Sequence, residues 1–136
     1  MVRRVLLLLW CTIILSGCSY EYGVVATLEN GQITFGIDPR SNSKPSCLRR
    51  IEVIAEDERE SAWRASVSYD DDCANKFPIK YGSSFLGQPH PEWPTITAKP
   101  IRPGIIYEVN TTTGATGYGG GRFTITTDGQ IVNLKQ

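Results

Sequence analysis

Apolar and polar residues alternate with a period of two along much of this chain, the pattern of half-buried β-strands. In Val24–Ile37, VVATLENGQITFGI, the pair Asn30-Gly31 stands at the midpoint. Asn-Gly suits the two positive-φ positions of a type I′ turn. Folding there sets Leu28 opposite Ile33, Ala26 opposite Phe35 and Val24 opposite Ile37 on one apolar face, with Thr27 against Thr34 on the other. A slip of one residue would mix the two faces, so the register is well specified. In Arg122–Leu134, RFTITTDGQIVNL, Asp128-Gly129 plays the same part. It predicts Ile125 opposite Val132 and Phe123 opposite Leu134, with Thr124 and Asn133 outward.

Further strands lie between these hairpins. CLRRIEVIA puts Ile51, Val53 and Ala55 on one side, with Arg50 and Glu52 on the other. AWRASVSY alternates Trp63, Ala65, Val67 and Tyr69 against Arg64, Ser66 and Ser68. KFPIKY is short, and Pro78 marks it as an edge. TITA is a further candidate, and IIYEVNT sets Ile105, Tyr107 and Val109 against Ile106 and Glu108. Glu56–Ala62, EDERESA, has no apolar stripe and reads as a charged loop. About 7–8 short antiparallel strands, with turn signals every 8–12 residues or so and no convincing helix, predict an all-β sandwich or, alternatively, a small β-barrel.

The N-terminus follows a different pattern. Met1-Val2-Arg3-Arg4 is basic, and Val5–Leu15 is apolar except for Thr12. That is a secretory leader, too short for a transmembrane span of about 20 residues. Leu15-Ser16-Gly17-Cys18 then resembles the lipobox of bacterial lipoproteins. The resemblance implies cleavage before Cys18 and acylation of its sulfur and amine. Two or three acyl chains make a stable membrane anchor, whereas one binds only reversibly. By the family's sorting rule, Ser19 rather than aspartate after the cysteine implies the outer membrane, facing the periplasm. The expected organisation is a signal peptide at 1–17, the lipidated cysteine and a short tether at 18–23, and one β-domain at 24–136. Ser19 to Gly23 would span at most about 17 Å, holding the domain close to the bilayer.

A second resemblance concerns the domain itself. IRPGIIYEV is similar to the Leu-x-Pro-Gly-x-x-Tyr-x-Val passage of fibronectin type III domains. It implies an immunoglobulin-like or fibronectin-like sandwich, with Pro103 and Gly104 forming a corner. Tyr107 would be the corner's tyrosine, its hydroxyl bonded back to that corner, and Trp63 the core tryptophan.

Composition narrows the partners. The leader takes Arg3 and Arg4 with it and leaves 12 basic against 14 acidic residues, net −2. That excludes the concentrated basic surface that nucleic acid calls for, and a polybasic grip on anionic lipid. Cys47 and Cys73 remain beyond Cys18 and, in an exported chain, read as a disulfide. A thiolate metal site would need further Cys or His ligands. Closing that loop stabilises by roughly 3–4 kcal/mol in the chain-entropy model.

Little in the chain points to catalysis, and no catalytic residue, metal or cofactor is expected. His90, the sole histidine, stands between prolines in GQPHPEWP and reads as a solvated loop residue. No Gly-x-Ser-x-Gly elbow is present. The aspartates of YDDDC, Tyr69–Cys73, lack the spacing of an EF-hand. GATGYGGGR, Gly114–Arg122, lacks the Gly-Lys-Ser/Thr of a phosphate loop and reads as a flexible connector displaying Tyr118 and Arg122. Tyr, Trp and Arg dominate binding hot spots, so Tyr118, Arg122 and Trp93 are the candidate partner contacts. The expected function is a non-enzymatic, lipid-anchored binding or accessory domain whose partner is an envelope protein or glycan. The alternative is an inhibitor or immunity lipoprotein that blocks a hydrolase or toxin.

Overall fold

Asn30 and Gly31 hold φ of 50° and 77°, and the strands they join pair in the expected register, Val24 with Ile37, Ala26 with Phe35 and Leu28 with Ile33. The structure, a computed structural model, describes residues 18–68, 72–114 and 116–136. The leader at 1–17 and the first aspartates of the YDDDC run, Asp70 and Asp71, lie outside the described residues. The strands are β1 (Tyr20–Glu29), β2 (Gln32–Ile37), β3 (Arg50–Ala55), β4 (Glu60–Ser66), β5 (Ile79–Lys80), β6 (Ile106–Thr113), β7 (Gly117–Ile125) and β8 (Ile131–Leu134). Among the described residues there is no helix, and the fold is all-β.

The strands follow the order β4-β3-β6-β7-β1-β2-β5, with β8 added on β7. The sheet curls until its inner faces meet. Phe35 on β2 lies 6.4 Å from Trp63 on β4 and 5.6 Å from Phe123 on β7, ring centre to ring centre. Tyr107 stacks on Phe123 at 5.5 Å, and these four aromatic side chains are almost wholly buried. Ile51, Val53, Ala65 and Val109 fill the space between them. This half-barrel has the layered core expected of a small sandwich or barrel. β5 and its neighbour Pro78 lie at one edge, as the proline implied. At the other edge β4 is covered by a strap around residue 96, where Arg64 and Ile96 exchange backbone hydrogen bonds of 3.0 and 3.1 Å. TITA is thus a single bridge rather than a strand. The cover removes an unpaired edge, a known site of unwanted strand addition.

The corner before β6 has the geometry its sequence implied. The Tyr107 hydroxyl accepts a hydrogen bond from the Arg102 backbone N–H at 2.9 Å, and Gly104 takes φ of 79°. Trp63, 2% exposed, is a core residue. Cys47 and Cys73 form a disulfide with Cα atoms 5.2 Å apart.

Four expectations are corrected. First, β1 begins at Tyr20 rather than Val24, because Tyr20–Gly23 pair with Gly117–Gly120. Second, that pairing is parallel, so the strands are not all antiparallel. Third, Gly117–Arg122, expected as part of a flexible loop, is not a loop. From Gly117 onward it is strand β7, with β6 on one side and β1 on the other. Fourth, the last hairpin is shifted by one residue, with Ile125 opposite Ile131 and Phe123 opposite Asn133. The Gly129 N–H donates to the Thr126 carbonyl at 3.0 Å, and only Gly129, with φ of 85°, lies in the left-handed region. The connection is therefore a longer turn ending on a left-handed glycine, not a two-residue type I′ turn.

The shift gives Asn133 a task. β1 leaves β7 after Gly23 to pair with β2. The Asn133 side chain meets the backbone beyond that fork, accepting from the Ala26 N–H and donating to the Ala26 carbonyl, both at 2.8 Å. A side-chain amide here does the work of a strand peptide, leaving neither backbone group orphaned.

Candidate functional site

The outer face of the sheet is built from the polar residues of the alternation. Register places them in rows across the strands. One row runs Ser66 on β4, Arg50 on β3, Thr112 on β6, Tyr118 on β7 and Glu21 on β1. The next contains Arg64, Glu52 and Asn110. Ser66, Arg50, Thr112 and Tyr118 of the first row floor a cleft of about 210 Å³, walled by Arg49, His90 and Trp93.

Trp93 belongs to a turn that folds over this face. The Ser66 hydroxyl donates to the Trp93 carbonyl at 2.7 Å, and the Trp93 N–H donates to the His90 carbonyl at 3.0 Å. The ring covers the guanidinium of Arg50, whose Cζ is 4.0 Å from the ring centre, with Arg64 at 5.7 Å. Cation–π contact of this kind favours Arg over Trp. The two arginines differ in what else they hold. Arg64 Nη2 donates to Glu52 Oε1 at 2.8 Å, and Ser61 also donates to Glu52. Burial alone would raise the Glu52 carboxyl, but hydrogen bonds from Arg64 and Ser61 and the fields of Arg64 and Arg50 outweigh it and hold its pKa below the ordinary value. Arg50 has no such bond among the described residues, while the Nε–H of both arginines is buried without an acceptor.

The three candidate contacts fare differently. Trp93 and Tyr118 come together at the cleft, Tyr118 being 51% exposed. Arg122 does not join them. It lies four residues along β7, where Nε donates to Glu56 Oε1 at 2.7 Å, Nη2 to Glu56 Oε2 at 3.1 Å and Nη1 to the Lys135 carbonyl at 3.1 Å. Those bonds hold Glu56 below the ordinary carboxylate range and tie the C-terminal tail to the turn after β3. His90, expected as a solvated loop residue, is half-buried and lines the cleft; its Nδ1 accepts the Glu92 N–H at 3.2 Å. Arg49 and Arg50 were missed as site residues. The signal was the outward position of Arg50 in CLRRIEVIA, but nothing local placed a tryptophan over it.

Beneath this end of the sheet lies a buried polar chain. Tyr22 Oη is 2.8 Å from Thr111 Oγ1 and 2.7 Å from Thr113 Oγ1, and Thr113 donates to the Cys47 carbonyl at 2.8 Å. Since Thr113 has one hydroxyl proton, Tyr22 donates to Thr113 and Thr111 donates to Tyr22. Burial raises the Tyr22 pKa against the pull of these bonds. The chain joins β1, β6 and the disulfide, and makes the floor beside the cleft rigid. A larger groove of about 500 Å³ runs between β1 and the C-terminal tail, but its Asp38 and Arg40 are already paired at 2.9 Å.

Cys18 is exposed at the start of β1, at the same end of the sheet as the cleft. No protein-family model, curated protein or solved structure matches the chain.

Proposed function

We propose that the chain is a lipid-anchored, non-enzymatic binding domain of a bacterial cell envelope, acylated on Cys18 and held at the outer membrane on its periplasmic side. The leader and the Leu15–Cys18 motif support the anchor. The observation that carries the binding role is the meeting of Trp93 and Tyr118 around Arg50 in one cleft. Two large aromatic rings on strand or turn backbone, beside the Arg50 guanidinium, form a contact surface of the composition found at hot spots. The partner is an envelope component within a short reach, since Ser19 alone separates Cys18 from β1 and spans at most about 3.6 Å. The alternative, an inhibitor or immunity lipoprotein that blocks a hydrolase or toxin, would use the cleft face rather than a loop at Gly114–Arg122, because Gly117–Ile125 is strand β7.

Metabolic labelling with palmitate tests the anchor. The wild type should be labelled and sediment with membranes, and Cys18→Ala should be neither labelled nor retained. A photo-crosslinker at position 118 tests the face in cells. It should give a discrete adduct that Trp93→Ala abolishes; an unchanged adduct would remove the cleft from the contact.

A further inference from the structure

We infer that the cleft receives the anionic headgroup of a phospholipid from the membrane that carries the anchor; this rests on the anchored reading above. Three observations converge. The first is position. β1 and β7 run parallel, with Tyr20 opposite Gly117 and Glu21 opposite Tyr118. The chain therefore enters the sheet at the end where the cleft opens. Register sets Arg50 three strands from Glu21, roughly 14 Å at the usual spacing. With Ser19 as the whole tether, that end faces the headgroups.

The second is chemistry. Arg50 lines the cleft, and none of its described lining residues is a carboxylate. The nearby Glu52 is engaged by Arg64 and Ser61, while Glu21 and Glu92 flank the cleft without lining it. Arg50 lies under Trp93, its guanidinium a planar fork suited to a phosphate diester. Thr112 and Tyr118 add hydroxyls at the floor and rim. The third is the ring pair itself. Tryptophan and tyrosine favour the interface, where one part of the ring is apolar and the other wet.

Net charge −2 excludes a diffuse polybasic grip but not a single-headgroup pocket. Affinity need not be high, because a short tether makes the contact effectively intramolecular, at a local concentration on the order of millimolar or more. The expected consequence is orientation: a bound headgroup stops the domain from swivelling on its anchor and fixes which face is shown to the periplasm.

The test uses the acylated protein reconstituted in phosphatidylcholine vesicles, with or without phosphatidylglycerol, and a nitroxide-headgroup lipid as quencher. Trp63 is 2% exposed, so quenching of the mature domain reports Trp93. Phosphatidylglycerol should increase the quenching. Arg50→Gln should abolish that increment, and Tyr118→Phe, altering a half-exposed residue, should reduce it with the fold intact by circular dichroism. Equal quenching in both vesicles, or an increment that survives both substitutions, overturns the inference. So does a Trp93 response to inorganic phosphate in detergent with no dependence on phosphatidylglycerol, which would make the site one for free phosphate. Palmitate labelling separates the two failures: a labelled protein insensitive to phosphatidylglycerol keeps its anchor and loses only this contact.

Discussion

Gly119 and Gly121 occupy positions on β7 where a single added carbon has nowhere to go. A Cβ on Gly119 would fall 2.2 Å from the Tyr22 ring and from Thr111 Oγ1, and one on Gly121 would fall 2.1 Å from the Val24 carbonyl oxygen. The first obstacle is a ring locked by two buried hydrogen bonds, the second is backbone at the fork where β1 leaves β7. Neither can move without breaking its own pairing. Gly121→Ala should therefore destabilise by about 3 kcal/mol or more, the upper end of overpacking costs, as a fall in the urea midpoint. These glycines also explain why the run misled a reading by composition. Glycine weakens isolated strands, yet it is used in a strand where another backbone or ring approaches closely. The partner that approaches, Tyr22, is far away in sequence, so the signal is invisible locally.

Among the elements, β3 and β4 show how an outer face is stabilised without apolar burial. Glu52, Arg64 and Ser61 form one linked group across the two strands. The folded-state pKa of Glu52 lies below its ordinary value of 4.5, so its charged form stabilises the fold above that pH. That contribution is lost as pH falls from about 4.5 through the depressed folded value. Equilibrium unfolding of wild type and Glu52→Gln across pH should show a stability advantage at neutral pH that narrows below this point. An advantage constant down to strongly acidic pH would show that the carboxylate charge is not what matters. The strands themselves were legible in the alternation of Ile51, Val53 and Ala55 and of Trp63, Ala65 and Val67, since a half-buried sheet must repeat every two residues. The last hairpin was not, because Asp128-Gly129 suits both a two-residue turn and a longer one ending on glycine. Local propensity does not choose between them; the contact of Asn133 with Ala26 is made only in the shifted register.

For the molecule as a whole, the disulfide closes the end that bears the cleft. It joins Cys47, whose carbonyl accepts from Thr113, to Cys73 across a separation of 26 residues. Replacing both cysteines by serine should cost about 3 kcal/mol, measured by urea unfolding, and reductant should produce a similar loss in the wild type. An unchanged midpoint would mean that the buried chain from Tyr22 to Cys47 suffices alone. By itself the sequence determined the all-β class, the first hairpin with its register, the cysteine pair and the tyrosine corner. The hairpin follows from residues close in the chain, the class from a periodicity that any sheet must obey, the cysteine pair from there being only two beyond Cys18, and the corner from a resemblance over nine residues. Only the tertiary structure decided that β1 lies parallel to a glycine-rich strand, that Arg122 is bound to Glu56, and that Trp93 covers Arg50 beside Tyr118. Those juxtapositions come from strand order and from a turn folding over β3 and β4, which no local preference encodes.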